Sequence, residues 1–227
     1  MRVLVIAAHP DDTEFICGGT IASMTTAGDD VAYLVVTSGE RGLLPDAAGS
    51  LVREDEQRAA AHSLGVRSVD FLREPDGQVT DAPSLRAKLV RKIREYRPEL
   101  LITHSPTYHL GSVRYSHPDH LAVGRAALAS VFPEARNPHW YPDHLSEGLL
   151  TWSVKQVWLC GVERSNSAID VSAHFAKKLA AVAKHESQMR HFPDCAGFFR
   201  SWAQEVADRH GFQSGVLAEE FHRVNAS

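Results

Sequence analysis

Cysteine is scarce: Cys17, Cys160 and Cys195 are the only three in a chain of 227 residues. Thiols so few and so far apart build neither a disulfide framework nor a cysteine-based zinc site, and they read as reduced thiols of a cytoplasmic protein. Excess positive charge is also missing, since 24 Lys and Arg face 28 Asp and Glu, a net charge of −4 with His neutral. That balance speaks against nucleic acid or an anionic membrane surface as partner, either of which calls for clustered Lys and Arg. No apolar run approaches the roughly 18 residues of a membrane span. The opening MRVLVIAAHPDD does not read as a signal peptide, because its apolar stretch is short and Pro10 and two Asp follow it. There is no internal repeat, low-complexity tract or linker. The remaining composition, 44% hydrophobic and 23% charged, is that of an ordinary globular chain, and the length suits a single domain over residues 1–227. Histidine, with 13 residues, is the unusual count.

Apolar β-type runs alternate with helical patterns, which predicts an α/β fold of three layers, a mostly parallel sheet wrapped by helices. Strands are expected at Val3 to Ala8, Val31 to Thr37, Val69 to Leu72, Leu100 to Thr103 and Val154 to Cys160, with an edge strand at Ala168 to Val171. Helices are expected from Thr13 to about Ala27, Leu51 to Leu64, Pro83 to Tyr96 and Pro118 to Val131, joined by loops at Ser38 to Ser50 and His104 to Ser116. Phe132 to Leu150, rich in Pro, His and Trp, reads as a long irregular excursion of the kind that usually serves function. A long helix reaching Met189 and two short helices close the chain.

The end of the first strand carries no G-x-G-x-x-G phosphate loop; Gly18 and Gly19 fall inside the following helix. His9-Pro10-Asp11-Asp12 stands there instead, and His117-Pro118-Asp119-His120 follows the fourth strand. In the Rossmann-like strand order 3-2-1-4-5, strands one and four flank the crevice at their C-terminal ends, so both clusters meet in one cleft. His9, Asp12 and His120 then make a three-ligand zinc site with a position left for water. Two His and one carboxylate also suit Fe2+ or another divalent ion, so an Fe(II) oxygenase is an alternative, and so is a non-catalytic sugar- or metal-binding module. Asp11, beside a ligand, is the candidate general base, and His117 the candidate acid or oxyanion partner. Asp119 either fixes an imidazole tautomer or caps a helix; Tyr115 either donates its phenol to an oxyanion or packs on the surface. Asp11 and Asp12 also suit a helix N-terminus without any metal. Trp140, Tyr141 and Trp152 either stack on a sugar ring or pack.

AAHPDDTEFICGGTIA together with YSHPDH resembles the PIG-L/LmbE-like family of zinc-dependent N-acetyl deacetylases. VVTSGERG, VREDEQRAAAHSLGV, KKLAAVAKHESQ and AEEF extend the likeness along nearly the whole chain in the expected order. The resemblance implies that His9, Asp12 and His120 hold the metal, Asp11 is the base, His117 polarises or protonates, and Tyr115 stabilises an oxyanion. It implies removal of an N-acetyl group from a small 2-acetamido sugar conjugate, releasing acetate and a free amine. By the same likeness Arg53 contacts substrate, unless it is a solvated charge paired with Glu56, and Glu40 faces the crevice, unless it serves a turn. His185, in the H-x-S-Q stretch, reads either as a packing residue or as one that supports the site from behind, not as a direct participant. Family members often form homo-oligomers. In some branches Glu follows HPDD directly, whereas here Thr13 intervenes before Glu14, so no role carries over to that glutamate.

Overall fold

The computed structural model describes residues 1–43, 51–111, 113, 116–190 and 192–227. The five expected parallel strands are present: β1 (Arg2–Ala7), β2 (Asp30–Thr37), β3 (Ser68–Glu74), β4 (Leu100–His104) and β5 (Gln156–Cys160). With β6 (Ser167–Asp170) and β7 (Ala218–Asn225) they form one seven-stranded sheet in the order β3-β2-β1-β4-β5-β7-β6. β7 runs antiparallel between β5 and β6, where the sequence predicts helix. It follows a single long helix, α8 (Cys195–Arg209), rather than two short ones.

Successive side chains on β1 show why both faces must be covered. Leu4 and Ile6 are buried with Leu89 and Ile93 of α3 (Pro83–Tyr96) and Val123 and Ala126 of α4 (Pro118–Ala129). Val3 and Val5 are buried on the other face with Ile21 and Ala22 of α1 (Asp12–Thr26) and Ala61 and Leu64 of α2 (Leu51–Leu64). Close approach on these layers is set by two glycines. A Cβ at Gly19 would lie 2.7 Å from Val171 Cβ, and one at Gly124 would lie 2.6 Å from the carbonyl oxygen of His104, so α4 seats directly on the end of β4.

α1 is kinked at Cys17 (φ −141°, ψ 18°), which frees polar backbone groups inside the protein. Glu219 on β7 accepts from Gly19 N (2.9 Å) and Thr20 N (2.7 Å). Lys178, on α6 (Phe175–Val182), donates to Phe15 O (2.9 Å) and to Glu219 (2.7 Å). The buried ion pair thus replaces the helix bonds that the kink removes, which accounts for KKLAAV and AEEF as structural stretches. The expected single helix to Met189 is broken into a turn at Ser172–His174, α6 and α7 (Glu186–Met189), with His185 between the last two.

Residues 132–150, expected as an irregular excursion, are partly helical and pack along α3, where Glu134 accepts from Arg86 (2.8 Å) and Glu147 from Arg91 (2.6 Å). α4 gives way to a π turn at Ser130–Glu134 containing Pro133, and α5 (Pro142–Ser146) follows. Arg94, 1% exposed, gathers the segment from inside by donating to the carbonyls of Glu134, Ala135, Asn137, Trp140 and Tyr141 at 3.0–3.4 Å. Trp152 donates to Pro98 O (2.7 Å) and Tyr141 to Glu134 (3.0 Å), and both aromatics pack against the core. Arg94→Met is expected to leave those carbonyls without a donor and to cost about 3 kcal/mol or more in urea unfolding. An unchanged midpoint would show that the cage is not needed.

Glu54 on α2 ties β2 and β3 to the helix: it accepts from Ser38 Oγ (2.6 Å), from Arg73 Nε (2.8 Å) and from Arg58 (3.0 Å). Arg73 above all, with Ser38 and Arg58, holds the buried carboxylate down to a pKa of about 2. Because the folded value lies below the unfolded one, this stabilisation is present above about pH 4.5 and is lost as pH falls toward 2. Glu54→Gln is expected to remove about 1–2 kcal/mol at pH 7, the two arginines being half-exposed, and nothing near pH 2. Unfolding curves at both pH values check this. No helix among the described residues is long and apolar enough to cross a membrane.

Candidate active site

β1 and β4 are hydrogen-bonded neighbours, with Ile6 opposite Thr103, so their C-terminal ends lie side by side. Beyond β1 the chain turns through His9, Pro10 and Asp11 before α1 begins at Asp12. Asp11 adopts a left-handed backbone (φ 96°, ψ −29°) and its side chain caps nothing. Beyond β4 the chain returns at His117, whose Nδ1 accepts from Asp119 N (3.2 Å) at the start of α4.

These two corners bring the expected ligands together. His9 Nδ1 lies 3.3 Å from His120 Nε2, His120 Nε2 lies 3.1 Å from Asp12 Oδ1, and His9 Nδ1 lies 3.5 Å from Asp12 Oδ2. A tetrahedral ion with bonds of about 2.1 Å has donor separations of about 3.4 Å, close to these pairwise distances, although His9 and His120 face different oxygens of Asp12. Side chains in the same nest also group as His9, His117 and His120, as Asp12, His104 and His120, and as His9, Asp76 and Asp119.

Each of these side chains has its own hydrogen-bond surroundings. His9 Nε2 faces Asp76 Oδ1 and Asp119 Oδ2, each at 3.2 Å, while Nδ1 faces Asp12 and His120. Asp119 is held in turn by Gly77 N (2.7 Å) and Val79 N (3.2 Å). Asp12 Oδ2 accepts from His9 N (2.8 Å), fixing the carboxylate on the floor of the crevice. Burial opposes charge on His9, yet bonds from Asp119, Asp12 and Asp76 outweigh it and push its pKa up to about 12.

Asp11 stands beside this cluster under different constraints. Burial raises its pKa to about 6 against the opposing charge of Arg53, whose Nη2 donates to Asp11 Oδ2 at 2.9 Å. His117 is held below the usual imidazole range, by burial first and then by His9 and His120, so it is neutral near pH 7. With Nδ1 accepting from the backbone, its Nε2 carries the proton and can donate. The ring packs edge-on to His9, centroids 4.7 Å apart. Tyr115 lies outside the described residues.

A cleft of about 380 Å³ opens over these groups, lined by His9, Asp11, Arg41, Gly42, Arg53, Asp76, Gly77 and His117. Arg53 is one wall but is no solvated charge paired with Glu56. It is 5% exposed and also donates to Gly39 O (2.7 Å) and Pro10 O (2.6 Å), while Glu56 binds Ser187. Glu40 accepts from Asp76 N (2.9 Å) and so holds the loop carrying Asp76. A separate cavity between α8 and β7, lined by Lys178, Phe199, Trp202 and Glu219 among others, contains none of the cleft residues.

Two members of the site were not read from the sequence. Asp76 belongs to a Pro-Asp-Gly turn after β3, a signal of loop geometry rather than chemistry. His104 is the last residue of β4; its ring stacks on His120 at 4.0 Å and its Nε2 lies 3.2 Å from Asp12 Oδ2 and 3.0 Å from Ala8 N. Burial drives its pKa down to about 4, so it is a neutral spacer beneath the cluster.

Known proteins share this architecture. The chain is 31% identical over 219 residues to the diacetylchitobiose deacetylase of Thermococcus kodakarensis, covering 94% of this chain and 79% of that protein. It is 31% identical over 252 residues to the 1D-myo-inositol 2-acetamido-2-deoxy-alpha-D-glucopyranoside deacetylase of Rhodococcus erythropolis, covering 87% and 84% respectively. The solved structure of N,N'-diacetylchitobiose deacetylase from Pyrococcus horikoshii, complexed with its inhibitor MPG, superposes with a TM-score of 0.89 at 25% identity, over 99% of this chain and 84% of that one. The profile of the PIG-L family, described as GlcNAc-PI de-N-acetylase, matches residues 4–131, more than half of the chain. By sequence over that span, and by fold over almost all of its length, this chain belongs to the PIG-L family.

Proposed function

We propose that this chain is a divalent-metal-dependent hydrolase that removes the N-acetyl group of a small 2-acetamido sugar. The observation that carries the reading is the convergence of His9 Nδ1, Asp12 and His120 Nε2 at 3.1–3.5 Å, with Asp11 and His117 beside them on one open cleft. The deacetylase relatives support the reaction class. His9, Asp12 and His120 would hold the ion, zinc being the first candidate and Fe2+ another. A divalent ion there supplies Lewis acidity and lowers the pKa of water to about 7.

The chain's own groups then divide the proton work. Asp11, with its pKa near 6, is ionised at neutral pH and takes a proton from the attacking water. Arg53 keeps the Asp11 carboxylate in place without neutralising it. His117 hydrogen-bonds the amide oxygen through its Nε2 proton as charge develops, gives that proton to the amine nitrogen as the C–N bond breaks, and is reprotonated by the proton that Asp11 took from water, leaving acetate and a free amine. Tyr115 is assigned a second donor role at that oxygen. Asp76 and Asp119 hold the His9 ring so that Nδ1 faces inward. The polar walls of the cleft suit a hydroxyl-rich ring better than an apolar acyl chain.

The test is release of acetate and of an equal amount of free amine from N,N'-diacetylchitobiose and from N-acetylglucosamine conjugates, with zinc supplied. Stoichiometric release from one member of such a panel is expected. No release from any of them, under conditions where the protein is folded and metal-loaded, would contradict the proposal.

A further inference from the structure

Asp11 is held from two sides by one helix. Arg53 and Gln57 stand one turn apart on the buried face of α2, and Arg53 binds the Asp11 side chain while Gln57 Oε1 accepts from Asp11 N at 2.8 Å. The other end of the Gln57 amide donates to both oxygens of Glu14, at 3.1 and 3.0 Å. Since a carboxylate accepts only, that contact fixes which end of the amide meets Asp11. Glu14 in turn accepts from Thr13 Oγ1 (2.7 Å) and pairs with His185 Nε2 (3.1 Å). Gln57, Glu14 and His185 are each 0% exposed. The chain of contacts ends on the residue whose backbone φ of 96° is unfavourable for any side chain larger than glycine.

We propose that Gln57 is a positioning residue for the general base, holding Asp11 in its left-handed backbone so that carboxylate 11 faces the cleft while carboxylate 12 faces the ligand cluster. The proposal rests on the reading of Asp11 as base. Glu14 and His185 act through Gln57: they orient its amide, which gives a physical role to the glutamate one residue beyond HPDDT and to the histidine that interrupts the helix before α7. Two grips from one helix also explain why α2 faces the crevice with an Arg and a Gln rather than with apolar residues.

The test compares variants on N,N'-diacetylchitobiose with zinc supplied, reading kcat, KM and bound metal per chain. Gln57→Met keeps the volume and removes both polar ends. It is expected to lower kcat by about ten- to a hundredfold, with KM within about twofold of wild type and metal content unchanged, as misplacement of a reacting group predicts. Gln57→Glu sets two carboxylates against each other and is expected to lose at least as much. The exchange Glu14→Gln with Gln57→Glu restores one acceptor for Asp11 N and one donor between the two side chains, and is expected to return kcat to within about tenfold of wild type. Unchanged kcat in Gln57→Met and Gln57→Glu, beside an inactive Asp11→Asn control, would overturn the proposal. A joint fall of kcat, metal content and thermal midpoint would do so as well, since that marks a structural role. If Gln57→Met does not fold, the exchange decides: an active double variant supports positioning, and one no better than Gln57→Glu refutes it. Full turnover in Asp11→Asn would instead bring down the reading on which the proposal stands.

Discussion

Asp11→Asn is expected to lower deacetylation of a 2-acetamido sugar by about a thousandfold, within the range general-base removal usually gives, while bound metal stays at the wild-type level. The substitution is nearly isosteric. An amide oxygen can still accept from Arg53 Nη2, and the backbone N–H still reaches Gln57, so the corner between β1 and α1 keeps its shape. What disappears is the ability to take a proton. The loss should fall on kcat rather than KM, because the group acts as the transition state forms and not as substrate docks. Acetate release and metal analysis of the purified variant are the two readings required. Turnover near wild type would pass the base role to another group, with His117 the nearest candidate.

The second large effect concerns the ion itself. His120→Ala leaves His9 and Asp12 as two donors out of three, and both metal content and turnover are expected to fall to background. A readout independent of activity follows from linkage. A cation that binds only the folded chain, present at about a hundred times its dissociation constant, stabilises it by about 2.7 kcal/mol, or about 5–10 °C of thermal midpoint for a chain of this size. A chelator should therefore lower the midpoint of the wild type and leave His120→Ala unmoved. His120 can be lost without collapse of the fold because its side chain is 25% exposed at the start of α4, in contrast to the buried residues beneath it. Equal sensitivity to chelator in both proteins would place the ion elsewhere.

The parallel half of the fold is legible in the sequence because buried parallel strands are near-continuous apolar runs, and β1, β2, β4 and β5 are such runs. Strand order follows from there, and it delivers both His-Pro-Asp corners to one crevice. The C-terminal third is less legible for a physical reason. β7 reads AEEFHRVN, and its Glu219 is buried not for its own hydrophobicity but to satisfy backbone freed by the kink at Cys17. A carboxylate serving a distant helix defeats any periodicity. Arg94 is a similar case, a helix charge in the sequence that turns inward to hold carbonyls of residues 134–141. Within the site, His9, Asp11, Asp12, His117 and His120 are legible because two His-Pro-Asp motifs carry them. His104 and Asp76 were missed because each stands alone in the sequence and gains its meaning only from Asp12 and His9 across the fold.

The most direct measurement is diffraction at the zinc absorption edge from crystals grown with zinc. One anomalous peak per chain is expected, about 2.0–2.2 Å from His9 Nδ1, an oxygen of Asp12 and His120 Nε2, with Asp76 and Asp119 remaining on the far side of the His9 ring. A peak on that far side, bonded to His9 Nε2 and the carboxylates of Asp76 and Asp119, or no peak within reach of all three expected ligands, would contradict the account.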